Sequence, residues 1–489
     1  MRDLKRIGLI IFVLVLSMTM ISCNDKEDQV DKDPVNGSVT QVDKEPDKEP
    51  DKEPIVESNL SLDDLDGQYA MDIIRELSSE TYEGRQAGTE GNLAAEDYIE
   101  ELYKGLGLLP MEALGGYKQT YTQRAAIPVK ATEISVVGTD YELEYQVDFT
   151  ERLIISYSFY DLEFTGPMHL ITSVSQFTDN PETLDNSVLL VSDEFFYNND
   201  VISHLYDLKK AGITIEAFIV PRTTGGDSMI VARGLYGPET QKFDEDNPAY
   251  IQCSHEAFKR LKYYADKGNQ IKISMDYEVK EVEVSNIVGM IPGKNEVGED
   301  EIIIIGGHMD HVGSNINGSY NPGALDNASG IGAMLEMAKF LLTGDQPEDT
   351  LVFVAFNGEE DGLIGSEYFV ENPPLEWDKK TTQMINLDMV GASAKIPLEI
   401  CSYDYVSEDM REAFADLAQD LGLYYTEEIS GGSDHVNFSA ASIPAVMLIH
   451  FDDRYYHTYK DTLENAIGID QLKDVLDLVY TYLETQIYE

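Results

Sequence analysis

Glu301–Phe340 reads EIIIIGGHMDHVGSNINGSYNPGALDNASGIGAMLEMAKF, and the rest of the chain is organised around it. Ile302–Ile305 is a short apolar run of the kind buried on both faces of a parallel sheet. The run is expected to break at Gly306–Gly307, and three metal-capable side chains, His308, Asp310 and His311, follow directly. A loop of Gly, Asn and Ser leads to Asp326, which stands just before an Ala/Gly/Met-rich helix. Strand, polar ligands at its carboxyl end, loop, helix: this is where an open parallel α/β sheet places a site.

At 489 residues the chain exceeds what one hydrophobic core can hold, so two or more domains are expected. Its 43% hydrophobic and 26% charged residues are ordinary for a globular protein, but its formal charge of −55 is not. That charge argues against nucleic acid as a partner, because phosphate binding relies on Lys and Arg. It reads instead as a solvated acidic surface. Cysteines occur at positions 23, 253 and 401. Cys253 and Cys401 have neither a disulfide framework nor the short spacing of a structural zinc site, and read as free or buried thiols.

Residues 1–22 have the form of an export signal: Arg2, Lys5 and Arg6 precede an apolar run from Ile7 to Ile21. The run is shorter than the roughly 20 residues of a membrane span. It ends in Met20-Ile21-Ser22-Cys23, which resembles a bacterial lipoprotein cleavage box. That resemblance implies cleavage before Cys23 and diacylglycerol attachment to its sulfur, with an uncleaved anchor as the alternative. Either way the body is expected outside the cytoplasm, at a cell surface or in a periplasm, touching the membrane through its N-terminal lipid alone. Residues 23–58 form a tether in which Asp43–Pro54 repeats DKEP three times. Lacking large apolar residues, this tether is expected to be disordered and extended.

The globular pattern starts near residue 59. Ser61-Leu62-Asp63-Asp64 reads as the start of a helix running to about Leu77. In TYEGRQAGTEGNLAAEDYIEELYKGLG, Thr89 caps a second helix whose apolar face carries Leu93, Tyr98, Ile99 and Leu102, and Gly105 and Gly107 end it. By themselves these segments form a helical hairpin without chemistry. Residues 125–282 read as a β-rich insert, with strand Ser187–Val191, helix Ile202–Lys210, strand Ala217–Val220, a helix near Ser254–Ala265 and alternating Ile271, Ile273 and Met275. No concentration of His and acid marks its strand ends, so it is read as non-catalytic. It resembles a protease-associated domain.

Residues 59–124 and 283–489 then make up one α/β domain, with a mostly parallel mixed sheet flanked by helices. Thr350–Phe356 is a strand ending in Asn357-Gly358-Glu359-Glu360, and Gln383–Leu387 is a strand ending in Asp388. Pro444–Ile449 is a strand followed by a loop with Tyr456 and His457, and Asp470–Tyr488 is a terminal helix. Parallel strand ends share one edge, so His308, Asp326, Glu359, Glu360, Asp388 and His457 can converge. Two histidines and three carboxylates exceed the needs of one four-coordinate zinc. They fit two metals about 3.5–4 Å apart with a shared carboxylate, leaving one acid as a general base.

The segments GGHMDHVG, GALDNASG, AFNGEEDGLIGSEYF, INLDMVG and YHTYKDT resemble the successive motifs of the M28 family of zinc aminopeptidases, and EGRQAGTEGNLAAEDYI resembles its N-terminal helical motif. The resemblance covers about 60–125 and 285–489. It implies that Asp326 bridges two Zn2+ ions, for which Co2+ or Mn2+ could substitute. His308 and Asp388 would complete one site, and Glu360 with His457 the other. Asp310 resembles the carboxylate that fixes the tautomer of a ligating imidazole. Glu359 would be the base, taking a proton from a water whose pKa zinc lowers toward about 7. Tyr456 is similar to a tyrosine that in some members hydrogen-bonds the tetrahedral oxyanion, a contact worth about 2.7–4 kcal/mol.

His311, His435 and His450 are set aside as ligands: His311 is expected to line the cleft, and His450 to satisfy a core hydrogen bond. Ser433-Asp434-His435 resembles a family loop near the substrate, and a Ser–His–Asp hydrolase reading lacks the G-x-S-x-G elbow. The expected activity is that of a membrane-tethered metallo-exopeptidase acting on peptides, foremost an aminopeptidase. Carboxypeptidase, dipeptidase or glutaminyl-cyclase-like chemistry are the alternatives, together with a peptide-binding protein that does not cleave. The complete ligand set with its base speaks against the last. The direction of exopeptidase action is not written in the motifs.

Overall fold

The computed structural model describes residues 60–152, 161–221, 231, 247–294, 301–315 and 317–487. The expected export signal, Cys23 and the DKEP tether lie outside these residues. No helix among the described residues is long and apolar enough to cross a membrane.

Four parallel strands form the centre of the sheet, in the spatial order Thr350–Phe356, Ile302–His308, Thr382–Asp388 and Ala445–Ile449. Antiparallel Gln270–Ile291 flanks Thr350–Phe356, and antiparallel Leu398–Ser402 flanks Ala445–Ile449, with Tyr425–Ile429 outermost on that side. The mixed, mostly parallel sheet expected from the sequence is therefore the fold found. Alternation sorts each central strand onto two cores. Ile303, Ile305, Leu351 and Phe353 face the helices Gln68–Leu77, Ser329–Leu341 and Ile469–Ile487. Ile302, Ile304, Val352 and Val354 face the opposite layer with Phe369 and Phe438, carried by the short helices Ile364–Glu371 and His435–Ala440. On the last helix, Leu472, Val475, Leu476, Val479, Tyr480 and Leu483 are all buried, as its periodicity requires. Cys253 and Cys401 are buried free thiols, each within a strand.

Two local expectations are corrected. The strand does not break at Gly306–Gly307; it runs on to His308, which sits opposite Phe356. A Cβ on Gly307 would lie 2.6 Å from the Leu387 carbonyl oxygen, so glycine here admits the neighbouring strand rather than ending the ladder. Nor does one helix run from Ser61 to Leu77. Ser61 caps a single turn, Leu62–Asp64, and the helix proper starts at Gln68 after Gly67 in the left-handed region. The cap of that helix comes from far along the chain. The Glu336 carboxylate accepts from Gly67 N at 2.7 Å and from Ala70 N at 2.8 Å. On the following helix, Glu90–Leu106, Leu93 is exposed and the buried face instead includes Asn92 and Glu96. Both join a polar cluster with Asn357.

Lys118–Val136 pairs antiparallel with Gln270–Ile291 along nearly its whole length. Beyond it the sheet continues through Asp161–Ile171, Ser187–Val191, Ile215–Pro221, Ala249–Cys253 and Phe149–Glu151. Helices Val201–Lys210 and His255–Asp266 accompany these strands, and two apolar clusters of their own fill this part.

The capping carboxylate generates a stability prediction. Glu336→Ala strips two buried N–H groups of their acceptor and should cost about 1–3 kcal/mol. Urea denaturation at pH 7 would show this as a lowered midpoint, with Glu336→Gln intermediate; equal midpoints for all three proteins would remove the cap from the stability argument.

Candidate metal centre

Each sequence-derived ligand lies at or beyond the carboxyl end of a central strand. His308 and Asp388 are the last residues of their strands, Glu359 and Glu360 follow Phe356, and His457 is in the loop after Ile449. Asp326 lies in the turn Ala324–Ala328 that feeds helix Ser329–Leu341. The structure brings them into two buried groups that share Asp326. His308, Asp326 and Asp388 form one, and His311, Asp326, Glu360 and His457 the other.

In the first group His308 Nε2 is 3.4 Å from Asp326 Oδ1 and 3.5 Å from Asp388 Oδ1. In the second, His457 Nε2 is 2.9 Å from Asp326 Oδ2 and 3.1 Å from Glu360 Oε1. These short approaches are not all hydrogen bonds. Among the described residues, Asp326 Oδ2, Asp388 Oδ1 and His457 Nε2 have no hydrogen-bond partner although they are buried. Buried lone pairs pointed at one another are costly unless a cation lies between them. Imidazole and carboxylate donors suit zinc, cobalt or manganese, so the residues present fit a pair of such ions.

Backbone carbonyls set the imidazole tautomers. His308 Nδ1 lies 3.2 Å from the Asp310 carbonyl oxygen, and His457 Nδ1 lies 2.9 Å from the Val231 carbonyl oxygen. A carbonyl can only accept, so Nδ1 carries a proton in both rings and each Nε2 faces the carboxylates, where the neutral ring offers its lone pair to a metal. Val231 N also donates to the His457 carbonyl oxygen at 3.0 Å, gripping that loop from both sides. Asp310 does a different job from the one expected. Its carboxylate is 3.8 Å from His308 Nδ1 and accepts instead from Glu359 N at 3.2 Å and Glu360 N at 3.1 Å. Two backbone donors aimed at the carboxylate outcompete the imidazole, and Asp310 thereby fixes the turn that carries both glutamates.

The bridge has its own supports. Asp461 accepts from Leu325 N at 2.9 Å and Asp326 N at 3.1 Å. Asn327 Nδ2 donates to the Leu387 carbonyl oxygen at 2.9 Å, and its Oδ1 accepts from Gly330 N and Met389 N, tying the Asp326 turn to the Asp388 strand end. Arg85 lies in the segment read as free of chemistry, yet its fully buried guanidinium donates to the carbonyls of Leu77, Met309, Pro322 and Gly323 at 2.7–2.8 Å. Those carbonyls flank His308, Asp310 and Asp326. Nothing in a G-R-Q string signals this reach, because three of the four contacts lie more than two hundred residues away.

The electrostatics follow from burial and crowding. Burial favours neutral His457, but Glu360 and Asp326 outweigh it and push the ring up to about 10. Burial, and then the carboxylates of Glu360, Asp434 and Asp388, hold Glu359 well above the usual carboxylate range. Burial also raises Glu360, but His457 and His311 overcome it and hold that group below its usual value. Burial raises Asp310 to about 6 and Asp434 and Asp461 each to about 7. Glu359 belongs to neither ligand group. The Tyr456 ring stacks on His457 at a centroid distance of 3.7 Å. His311 is buried, with Nδ1 2.9 Å from Glu360 Oε1, and it lines a small pocket together with Gln86, Asp310 and Glu360. Ser433, Asp434 and His435 form no catalytic relay, since Ser433 Oγ accepts from Asn386 Nδ2 and His435 Nε2 bonds the Ser430 carbonyl oxygen.

Residues 286–483 match the sequence profile of Peptidase family M28. In this segment the chain is similar to members of that family. The M28 segment carries the whole ligand set. The chain is 32% identical over 245 residues to Aminopeptidase YwaD of Bacillus subtilis (strain 168), an alignment covering 48% of each protein. It thus spans about half the length of this relative. An aminopeptidase from Aneurinibacillus sp. strain AM-1 superposes with a TM-score of 0.64 at 24% identity, over 87% of this chain and 95% of that one. BSAP, a zinc aminopeptidase from Bacillus subtilis, gives 0.61 at 22% identity, over 87% and 96%. At these identities the two structures establish a shared fold.

His435 and His450 lie outside both M28 ligand groups, and burial lowers each to about 4. The unfolded chain takes up these protons below about pH 6.5, while the folded chain does so only near 4. Stability is therefore full above pH 6.5 and is lost as pH falls from there toward 4. His450 Nδ1 accepts from Gly391 N at 3.2 Å, and His450→Asn keeps an acceptor there without the titration. The metal-free variant should lose less Tm than the parent between pH 6.5 and 4; parallel slopes in differential scanning calorimetry would contradict the assignment.

Proposed function

We propose that this protein is a two-metal exopeptidase of the aminopeptidase type, hydrolysing the N-terminal bond of peptides. One observation carries the reading: two buried groups of metal-capable side chains share Asp326, and Glu359 is buried next to one ligand, Glu360, without joining either group. The family match and the printed names of its relatives support the same reading. His308, Asp326 and Asp388 would hold one ion, and Asp326, Glu360 and His457 the other, with zinc the ion named for BSAP. When bound, such ions polarise a scissile carbonyl and lower the pKa of an attacking water.

The chain's own residues supply the proton chemistry and the positioning. Glu359 takes the proton of the attacking water and returns it to the departing amine. Asp310 keeps it in place through the Glu359 and Glu360 backbone N–H groups. Acids at the metal centre, Glu359 among them, would recognise the free α-amine of the substrate. Tyr456, whose ring stacks on His457, would donate to the oxyanion.

Turnover of leucyl- or alanyl-p-nitroanilide should vanish on chelation and return with zinc. Glu359→Gln should keep both ions and lose about 10²–10⁴-fold in kcat. A metal-loaded protein that leaves every aminoacyl and peptide substrate intact overturns the proposal.

We also infer that the enzyme works outside the cytoplasm, lipid-anchored through Cys23 and held off the membrane by the DKEP tether. The Met20–Cys23 box and the apolar run before it support this. Residues 125–282 are inferred to be a protease-associated-like insert beside the site, an assignment supported by the contacts of Val231 with His457. Cys23→Ser should move the protein from the membrane fraction to the soluble one; retention in the membrane would refute the lipid anchor.

A further inference from the structure

The second ligand group contains one more residue than the two-metal reading uses. We propose that His311 is itself a metal ligand, its Nδ1 completing with Asp326, Glu360 and His457 a four-residue site. The His308–Asp326–Asp388 position is left with three protein ligands. This rests on the two-metal reading above and goes beyond it in making the two positions unequal.

The four ligand atoms gather within 4.8 Å of one another, at spacings of 2.9–3.7 Å that bracket those of a tetrahedral shell. Ligand atoms bound at about 2.0–2.2 Å around a tetrahedral ion lie about 3.3–3.6 Å from one another. His311 Nδ1 is 2.9 Å from Glu360 Oε1 and 3.7 Å from Asp326 Oδ2, and His457 Nε2 is 2.9 and 3.1 Å from Asp326 Oδ2 and Glu360 Oε1. The two imidazole rings meet edge to face, 86° apart, so both nitrogens reach one point without either ring covering the other. His311 is also firmly placed. Its N donates to the Arg85 carbonyl oxygen at 3.2 Å, and its ring packs where Gly323 has no Cβ, since one would lie 2.6 Å from His311 Cδ2.

The competing role is a hydrogen bond from His311 Nδ1–H to Glu360 alone. That role uses one carboxylate and leaves Asp326 Oδ2, which lacks a partner among the described residues, unexplained at 3.7 Å. Four protein ligands close a tetrahedral zinc site, whereas three leave a position open for water or substrate. The His311 ion should therefore bind more tightly, and the His308 ion should exchange and face the substrate.

The test uses the purified protein with metal alone. His311→Asn keeps an amide N–H close to where Nδ1 stood, so it can still donate to Glu360, but it offers no imidazole nitrogen. His311→Ala removes both. Zinc competition against a chromophoric chelator and Co2+ absorption titration should show two ions in the parent. Both variants should lose affinity at one position by at least the roughly 10–100-fold that losing an outer hydrogen-bond partner costs. One set of cobalt bands should fade while the other position is unchanged, and melting of the metal-free proteins would show that both variants fold. If His311→Asn binds both ions like the parent, His311 is a donor and the proposal is overturned. If the parent itself binds fewer than two ions, the two-metal reading fails, and this proposal with it.

Discussion

The structure is governed by the crowding of carboxylates at one edge of a sheet. Asp310, Asp326, Glu359, Glu360, Asp388, Asp434 and Asp461 are all buried there. Two like charges 4 Å apart repel by about 4 kcal/mol at an effective dielectric of 20, so such a cluster needs compensation from every side. Backbone N–H groups serve Asp310 and Asp461. Imidazoles serve Glu360, and Arg85 sits close enough for its charge to act on Asp326, Asp461, Asp310 and Glu360. Burial, and after it the neighbouring carboxylates, raise the proton affinities of Asp434 and Asp461. Among the described residues, Asp326 Oδ2 and Asp388 Oδ1 still lack a partner, and these are oxygens a divalent cation would take.

Because the ligands come from different strands, their convergence depends on register. His308 lies opposite Phe356, and Asp388 opposite Ile449. A one-residue slip would send a ligand to the other face of the sheet, into the apolar layer. The isoleucine run and its neighbours are buried on both faces, so a slip is not excluded by swapping polar for apolar residues. Close glycine contacts and the Asn327 bonds to both the Asp326 turn and the Asp388 strand end supply that constraint.

Much of this was legible from residue order. The central strands are apolar runs and the terminal helix has a clean apolar stripe, so their positions could be read to within a residue or two, apart from the strand at Ile302, which runs three residues past its expected end. Ligand-type side chains cluster just after those runs, so their convergence followed from the topology. What could not be read was long-range and polar. Glu336 capping a distant helix, Arg85 bonding four carbonyls and Asp461 holding the bridge leave no trace in local periodicity. The Asp310 role was misjudged because competition between backbone donors and an imidazole is decided by geometry alone. His311 is a third ligand-type residue within one short motif, and the structure groups it with Asp326, Glu360 and His457.

The ribbon of Lys118–Val136 against Gln270–Ile291 has a consequence for how the chain reaches this state. It pairs residues such as Val136 and Ile271, which the whole intervening segment separates, and its far end pairs with Thr350–Phe356, whose loop carries Glu359 and Glu360. Closing so long a loop carries an entropic cost before its contacts can repay it, which slows folding. The strand next to Thr350–Phe356 is thus anchored at its other end in the intervening unit, and assembly of the glutamate-bearing edge is tied to completion of that unit. A truncation within residues 137–269 that spares Val231, the partner of His457, would act on this edge through the order of assembly alone.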